Sequence, residues 1–130
     1  MGHSFDQLAA MIEQAQNHPR LGVCFDTCHG FAAGYPMNTA EETASTMQLL
    51  ENTIGANRLR AFHLNDSKKE LASRVDRHDL IGHGEIGIEA FRWLVNEPKY
   101  KSHPGILETP IGKGATYREE IALLKSLRKN

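Results

Sequence analysis

Three short apolar runs in this chain end on side chains that their own interiors do not foretell. Leu21-Gly22-Val23-Cys24-Phe25 breaks into Asp26, Thr27 and His29; Leu59-Arg60-Ala61-Phe62 reaches His63 before Leu64; Gly105-Ile106-Leu107 stops at Glu108 and Thr109. Runs of this length and composition read as strands buried on both faces. Each then carries a carboxylate or an imidazole at its C-terminal end. In a parallel barrel all strand C-termini open onto one face, so donors far apart in sequence can converge on one site.

The segments between these runs read as helices. Ser4 with Gln7 forms a capping box ahead of Phe5, Leu8, Ile12 and Ala15, predicting a helix over residues 5–17. After the first strand, at 21–26, Gly30 to Asn38 reads as a loop, and Thr39 with Glu42 caps a helix faced by Thr43, Met47, Leu50 and Ile54 and ended by Gly55. The second strand, 59–64, leads into a long segment from Asn65 to Gly87; structureless segments of this length tend to be functional. Ile88, Phe91, Leu94 and Val95 mark a short helix stopped near Pro98, the third strand covers 105–109, and Thr116 with Glu119 opens a last helix carrying Ile121, Leu124 and Leu127. Strands alternating with helices and no hairpin signals predict an α/β fold of three parallel strands with flanking helices.

At 130 residues the chain can bury a core of its own, yet it has roughly half of the ~250 residues of a complete (β/α)8 barrel. Three parallel strands cannot close a barrel, and their open edges favour self-association or pairing with a missing half. A net charge of −1 with 24% charged residues withholds support for a nucleic-acid partner without excluding one, because bound metals and local Lys/Arg can supply positive field. The sequence has no run of 18 apolar residues, and acidic Asp6 stands where a signal peptide would be basic and apolar, so the expectation is a cytoplasmic protein without a membrane partner. Cys24 and Cys28 are the only cysteines and read as two reduced, mostly buried thiols beside a site.

Two sets of metal-type donors follow from these placements. In an extended loop Asp76 and His78 point the same way, and His29 would complete a set with them; Asp26, His63 and Glu108 from three strand ends form a second set. Imidazole and carboxylate without thiolate suit zinc first, then manganese or iron. Each residue also has an ordinary explanation. Asp26 before a threonine could be a turn or helix cap, His63 a hydrogen-bonded core residue, and Glu108 a partner of Arg60. Lys68-Lys69 could be solvated, and Gly82-His83-Gly84 with Gly87 a turn. What favours the metal reading is that six donors fall on one predicted face, whereas His3, His18 and His103 lie away from it and read as surface residues.

At these residues the chain resembles the C-terminal part of the endonuclease IV family of abasic-site endonucleases. The resemblance rests on Gly22-Val23-Cys24-Phe25-Asp26-Thr27-Cys28-His29, on His63-Leu64-Asn65-Asp66-Ser67-Lys68, on Asp76-Arg77-His78 with Ile81-Gly82-His83-Gly84-Glu85-Ile86-Gly87, and on Ile106-Leu107-Glu108-Thr109-Pro110. It implies the C-terminal portion of a TIM-type (β/α)8 barrel, with residues 1–130 a single partial domain. It also implies a zinc-dependent DNA repair enzyme that hydrolyses the phosphodiester 5′ to abasic sites, leaves a 3′-hydroxyl and removes 3′ blocking groups.

Of up to three zinc ions in the complete family site, two ligand sets are represented: Asp26, His63 and Glu108, which are also the catalytic set, and His29, Asp76 and His78. Lys68, Lys69 and Arg77 are candidates for DNA-phosphate contacts. Two departures stand out. The two histidines and bridging glutamate of the family's first zinc site are absent, which makes a fragment of a longer protein the expectation, and His83 stands where the family commonly has an acidic residue. The competing readings are a single-metal sugar isomerase of the related barrel type, which has no need of His29, Asp76 and His78, and a non-catalytic metal-binding or assembly fragment.

Overall fold

In a computed structural model, residues 4–112 and 116–129 are described. A capping box with both bonds formed, Gln7 N to Ser4 Oγ at 3.2 Å and Ser4 N to Gln7 Oε1 at 3.3 Å, opens helix α1, Phe5–Gln14. The helix stops short of the predicted residue 17 because Gln16 and Asn17 take left-handed backbone angles, φ 60° and 52°, which turn the chain toward the sheet.

Strand β1, Val23–Asp26, pairs in parallel with β2, Leu59–His63, and β2 pairs in parallel with β5, Gly105–Ile106, giving the order β1-β2-β5. The middle strand is β2. The register sets Asp26 beside His63 and His63 beside Ile106, so the three strand ends are level. Both outer edges are unpaired among the described residues. The third strand is shorter than the predicted 105–109, and Glu108 follows it rather than lying in it.

Three further expectations are corrected in and after β1. The loop predicted from Gly30 is instead the end of helix α2, Thr27–Ala33, closed by Gly34 at φ 116°, a left-handed cap that glycine adopts without Cβ strain. Its residues Thr27, Cys28, Gly30, Phe31 and Ala32 are all buried, so no amphipathic period announces it. Helix α3, Ala40–Ile54, follows with the Thr39–Glu42 capping box and the predicted buried face of Thr43, Met47, Leu50 and Ile54. The long segment after β2 is not structureless: β3, Asp66–Ser67, pairs antiparallel with β4, His78–Asp79, against the expectation of parallel pairing alone. Lastly, Cys28 is buried but Cys24 is exposed, because residues alternate along β1 and only Val23 and Phe25 face the helices.

Helices α4, Ile88–Asn96, and α5, Tyr117–Leu127, complete the fold; α1 packs on α3, α3 on α4 and α4 on α5. The core runs from Phe5, Phe25 and Phe31 through Met47, Leu50 and Phe62 to Phe91 and Leu94. His18 is exposed as expected. His103 is not simply a surface residue: its Nε2 lies 2.7 Å from the Leu59 carbonyl oxygen and its ring packs near Phe62 and Tyr100. His3 lies outside the described residues. Among the described residues no helix is long and apolar enough to cross a membrane.

Candidate metal centre

Asp26 combines the ordinary role and the unusual one. As N-cap of α2 it accepts the His29 N–H on Oδ1 at 3.1 Å, which fixes the carboxylate, while Oδ2 turns toward the imidazoles. From Oδ2, His63 Nδ1 is 3.7 Å away and His78 Nε2 3.6 Å. His63 Nδ1 also lies 2.8 Å from Glu108 Oε1, so Glu108 meets the histidine and not Arg60, whose guanidinium donates to the Asn57 carbonyl. On the other side His78 Nε2 is 3.4 Å from Asp76 Oδ1, and Asp76 Oδ2 is 3.6 Å from His29 Nδ1. Glu108, His63, Asp26, His78, Asp76 and His29 thus form one unbroken series of nitrogen–oxygen contacts. Four separate segments of chain supply it.

These distances do not divide the six residues into the two sets that the sequence suggests. Asp26, His78 and Glu108 present ligand atoms within 4.8 Å of one another, and so do Cys28, Asp76 and His78. His78 is common to both groups, held by its place at the start of β4 and by the 3.1 Å contact of Nδ1 with the Glu108 carbonyl oxygen. His29 occupies the first turn of α2, where it is carried by a helix instead of a loop.

The electrostatics are one-sided. Asp26, Asp76 and Glu108 have no Lys or Arg ion-pair partner among the described residues; their ion-pair contacts there are with histidines. Burial lifts the Asp26 carboxyl above its ordinary range and nearby Asp76 adds to this, while the His29 N–H and the neighbouring imidazoles oppose it. Burial, with a hydrogen bond to Asp76, pushes the Cys28 thiol up to about 12, and Sγ donates to the Arg77 carbonyl at 3.4 Å. The imidazole and carboxylate donors fit a divalent cation through nitrogen and oxygen.

Two supports were not singled out from the sequence. Fully buried Asn65 and Thr27 tie the strand ends together, the Thr27 hydroxyl donating to the Asn65 carbonyl at 2.6 Å and Asn65 Oδ1 accepting the Glu108 N–H at 2.8 Å. Buried Asp66 organises the long segment by accepting N–H groups from Ser67, Gly82, Ile86 and Gly87 at 2.8–3.3 Å. The chain passes so close there that a Cβ on Gly84 would sit 2.3 Å from the Ser67 carbonyl oxygen. An Asx signal after a strand could have suggested Asp66, but its partners lie up to 21 residues away.

A cleft adjoins the donors, lined by Phe5, Phe25 and Tyr35 together with Asp26, His29 and Asp76. Lys68, Lys69 and Arg77 are exposed, and their side chains make no ion pair among the described residues.

Comparison with known proteins agrees with this architecture. A family model described as a xylose isomerase-like TIM barrel matches residues 1–127. The probable endonuclease 4 of Chloroflexus aurantiacus is 50% identical over 128 residues, covering 98% of this chain and 45% of that protein. That of Geobacter sulfurreducens is 49% identical over 129 residues, 99% of this chain and 43% of that protein. The crystal structure of endonuclease IV from Thermus thermophilus superposes with a TM-score of 0.82 at 35% identity, over 98% of this chain and 44% of that one. The chain thus spans under half the length of the curated relatives it matches. With three parallel strands flanked by helices and a family match over nearly all of its length, the chain belongs to the xylose isomerase-like TIM-barrel family, as a relative of endonuclease IV.

Proposed function

We propose that this chain is the C-terminal part of a zinc-dependent abasic-site endonuclease acting in DNA repair in the cytoplasm. The observation that carries the reading is the continuous series of contacts, 2.8–3.7 Å, joining Glu108, His63, Asp26, His78, Asp76 and His29. Three carboxylates and three imidazoles with no Lys or Arg counter-ion among the described residues are a site whose charge is balanced by a cation. Asp26, His63 and Glu108 are the catalytic ligands, with His29, Asp76 and His78 beside them. Zinc, when bound, supplies a lowered water pKa and neutralises charge on a phosphate. The chain's own residues do the rest. Asp26 and His78 hold the centre of the ligand set, and the exposed cations of Lys68, Lys69 and Arg77 take the phosphates flanking the lesion. The bond cleaved is the phosphodiester 5′ to the abasic site, or a 3′ blocking group, leaving a 3′-hydroxyl.

The edges of β1 and β5, unpaired among the described residues, suit pairing with further barrel strands from another segment or a second copy. A second reading, aldose–ketose isomerisation at a single metal, is favoured by the xylose isomerase-like description of the matching family. Incision of a duplex carrying one abasic site, against an undamaged duplex, with zinc and with His78→Ala as control, separates the two. Site-specific nicking lost in the variant is the expected result. Aldose–ketose interconversion without nicking would establish the isomerase instead.

A further inference from the structure

We propose that Asn65 is a positioning residue for the metal centre, joining the Asp26 carboxylate to the Glu108 main chain; this rests on the reading of Asp26 and Glu108 as ligands. Asn65 stands just past the end of β2, the middle strand, where one side chain can reach both neighbouring strand ends. Its Oδ1 accepts the Glu108 N–H at 2.8 Å and its Nδ2 donates to Asp26 Oδ2 at 3.3 Å. The orientation of the amide is dictated by chemistry, since only an oxygen can accept from the Glu108 N–H. Its main chain is locked as well: the Asn65 N–H donates to Thr27 Oγ1 at 3.0 Å, and the Thr27 hydroxyl donates back to the Asn65 carbonyl at 2.6 Å.

The consequence is a division of labour within Asp26. Oδ1 is held by the His29 main-chain N–H and Oδ2 by the Asn65 amide, so the carboxylate plane is set by two donor atoms that are not metal-type ligand atoms. What remains of Oδ2 is aimed at His63 and His78. On the other side, the Glu108 backbone is pinned while its half-exposed side chain meets His63 Nδ1 at 2.8 Å. Asn65 therefore governs the spacing between two carboxylates on strands that are not neighbours.

Few side chains can substitute. The position needs one acceptor and one donor on a single short arm, in a fully buried place that water does not reach. Aspartate keeps the acceptor for Glu108 but loses the donor and sets a second negative charge against Asp26. Alanine leaves both partners unsatisfied, and glutamine is one methylene too long.

The test compares zinc affinity, by competition with a chromophoric chelator, in this chain and in Asn65→Asp, Asn65→Ala and Thr27→Val, alongside melting temperature and the visible spectrum of the cobalt-substituted protein. Outer-sphere partners of ligands tune affinity about 10–100-fold, and Asn65→Asp is expected to lose that much and to alter the cobalt spectrum. Thr27→Val, which frees the Asn65 backbone but leaves its carboxamide, is expected to lower the melting temperature with affinity near that of the unsubstituted chain. Affinity falling in step with melting temperature in both variants, or zinc held as tightly by Asn65→Asp, would overturn the proposal.

An unsubstituted chain that takes up no zinc overturns the metal reading itself and the role of Asn65 with it. The bridge is read separately in metal-free protein by exchange of the Asn65 side-chain amide protons. These should exchange slowly, and faster in Asp26→Ala; equal rates in the two would show that the bridge does not exist in solution.

Discussion

Two polar clusters in this molecule solve the same problem in opposite ways. On one side of the helical layer, the buried Glu51 carboxylate of α3 receives Lys99 Nζ at 3.0 Å on one oxygen and the Tyr100 hydroxyl on the other. The chain completes that carboxylate from its own residues. At the C-terminal end of the sheet, Asp26, Asp76 and Glu108 face three histidines and no lysine or arginine among the described residues. The first cluster is closed and belongs to stability; the second has no lysine or arginine of its own among the described residues and is the one proposed to take a cation. Of the three carboxylates only Asp26 is largely buried, and burial of a charge costs several kcal/mol unless it is paired, so Asp26 is where the proposed cation would contribute most.

The largest effect should come from His78, which is common to both groups of potential ligands. His78→Ala is expected to lower zinc affinity by more than the roughly 100-fold that outer-sphere changes reach, and to abolish incision at an abasic site, with little change in unfolding free energy of the metal-free chain. Equilibrium dialysis with metal analysis reads the first, and retained stoichiometric zinc would collapse the contrast between the clusters.

Glu51→Ala should behave in the converse way. It strands the Tyr100 hydroxyl and the Lys99 ammonium, and a buried group left without its partner costs about 1–3 kcal/mol. Urea unfolding should show that loss while zinc affinity stays unchanged. A parallel fall in both would mean that the clusters are coupled through the core.

Gly84→Ala probes the region between. A Cβ there meets backbone, the Ser67 carbonyl oxygen at 2.3 Å, so the loop held by Asp66 must move. Overpacking of this kind costs about 1–3 kcal/mol, and because β3 pairs with the strand carrying His78, zinc affinity should fall modestly as well. An unfolding free energy equal to that of the unsubstituted chain would show that the loop is not held against β3.

The smallest effect is one of pH. Burial, with the hydrogen bond to Glu51, raises the Tyr100 phenol well above its ordinary pKa. The unfolded chain releases that proton near pH 10 and the folded chain keeps it, so rising pH above about 10 favours unfolding, by up to about 1.4 kcal/mol per pH unit. Below pH 10 the contribution is fully present. Tyr100→Phe should flatten this alkaline limb of the stability profile, and an unchanged limb would assign it to other groups.

Where periodicity or capping carried the signal, the reading from sequence and the fold agree. Both capping boxes form, at Ser4–Gln7 and Thr39–Glu42, and the apolar face of α3 is the predicted one. Helix α2 was illegible for the same physical reason: a helix buried on nearly every side has no polar face, so its residues show no period. Residues Gln16 and Asn17 ended α1 by backbone angle, which no side-chain pattern encodes. His103 looked peripheral because its partner, the Leu59 carbonyl, is a backbone atom 44 residues away.

By itself the sequence determined the alternation of strands and helices, the caps, and which donor residues stand at strand ends, because these follow from local periodicity and hydrogen-bonding chemistry. Only the tertiary structure decided how those donors are joined. Register put Asp26 beside His63, the short β3–β4 pair carried His78 to Asp26, and Asn65 and Thr27 tied the strand ends, all through contacts between segments with no sequence pattern in common. Which oxygen meets which nitrogen is a matter of angstroms in space, and the order of residues along a chain does not contain that distance until the chain has folded.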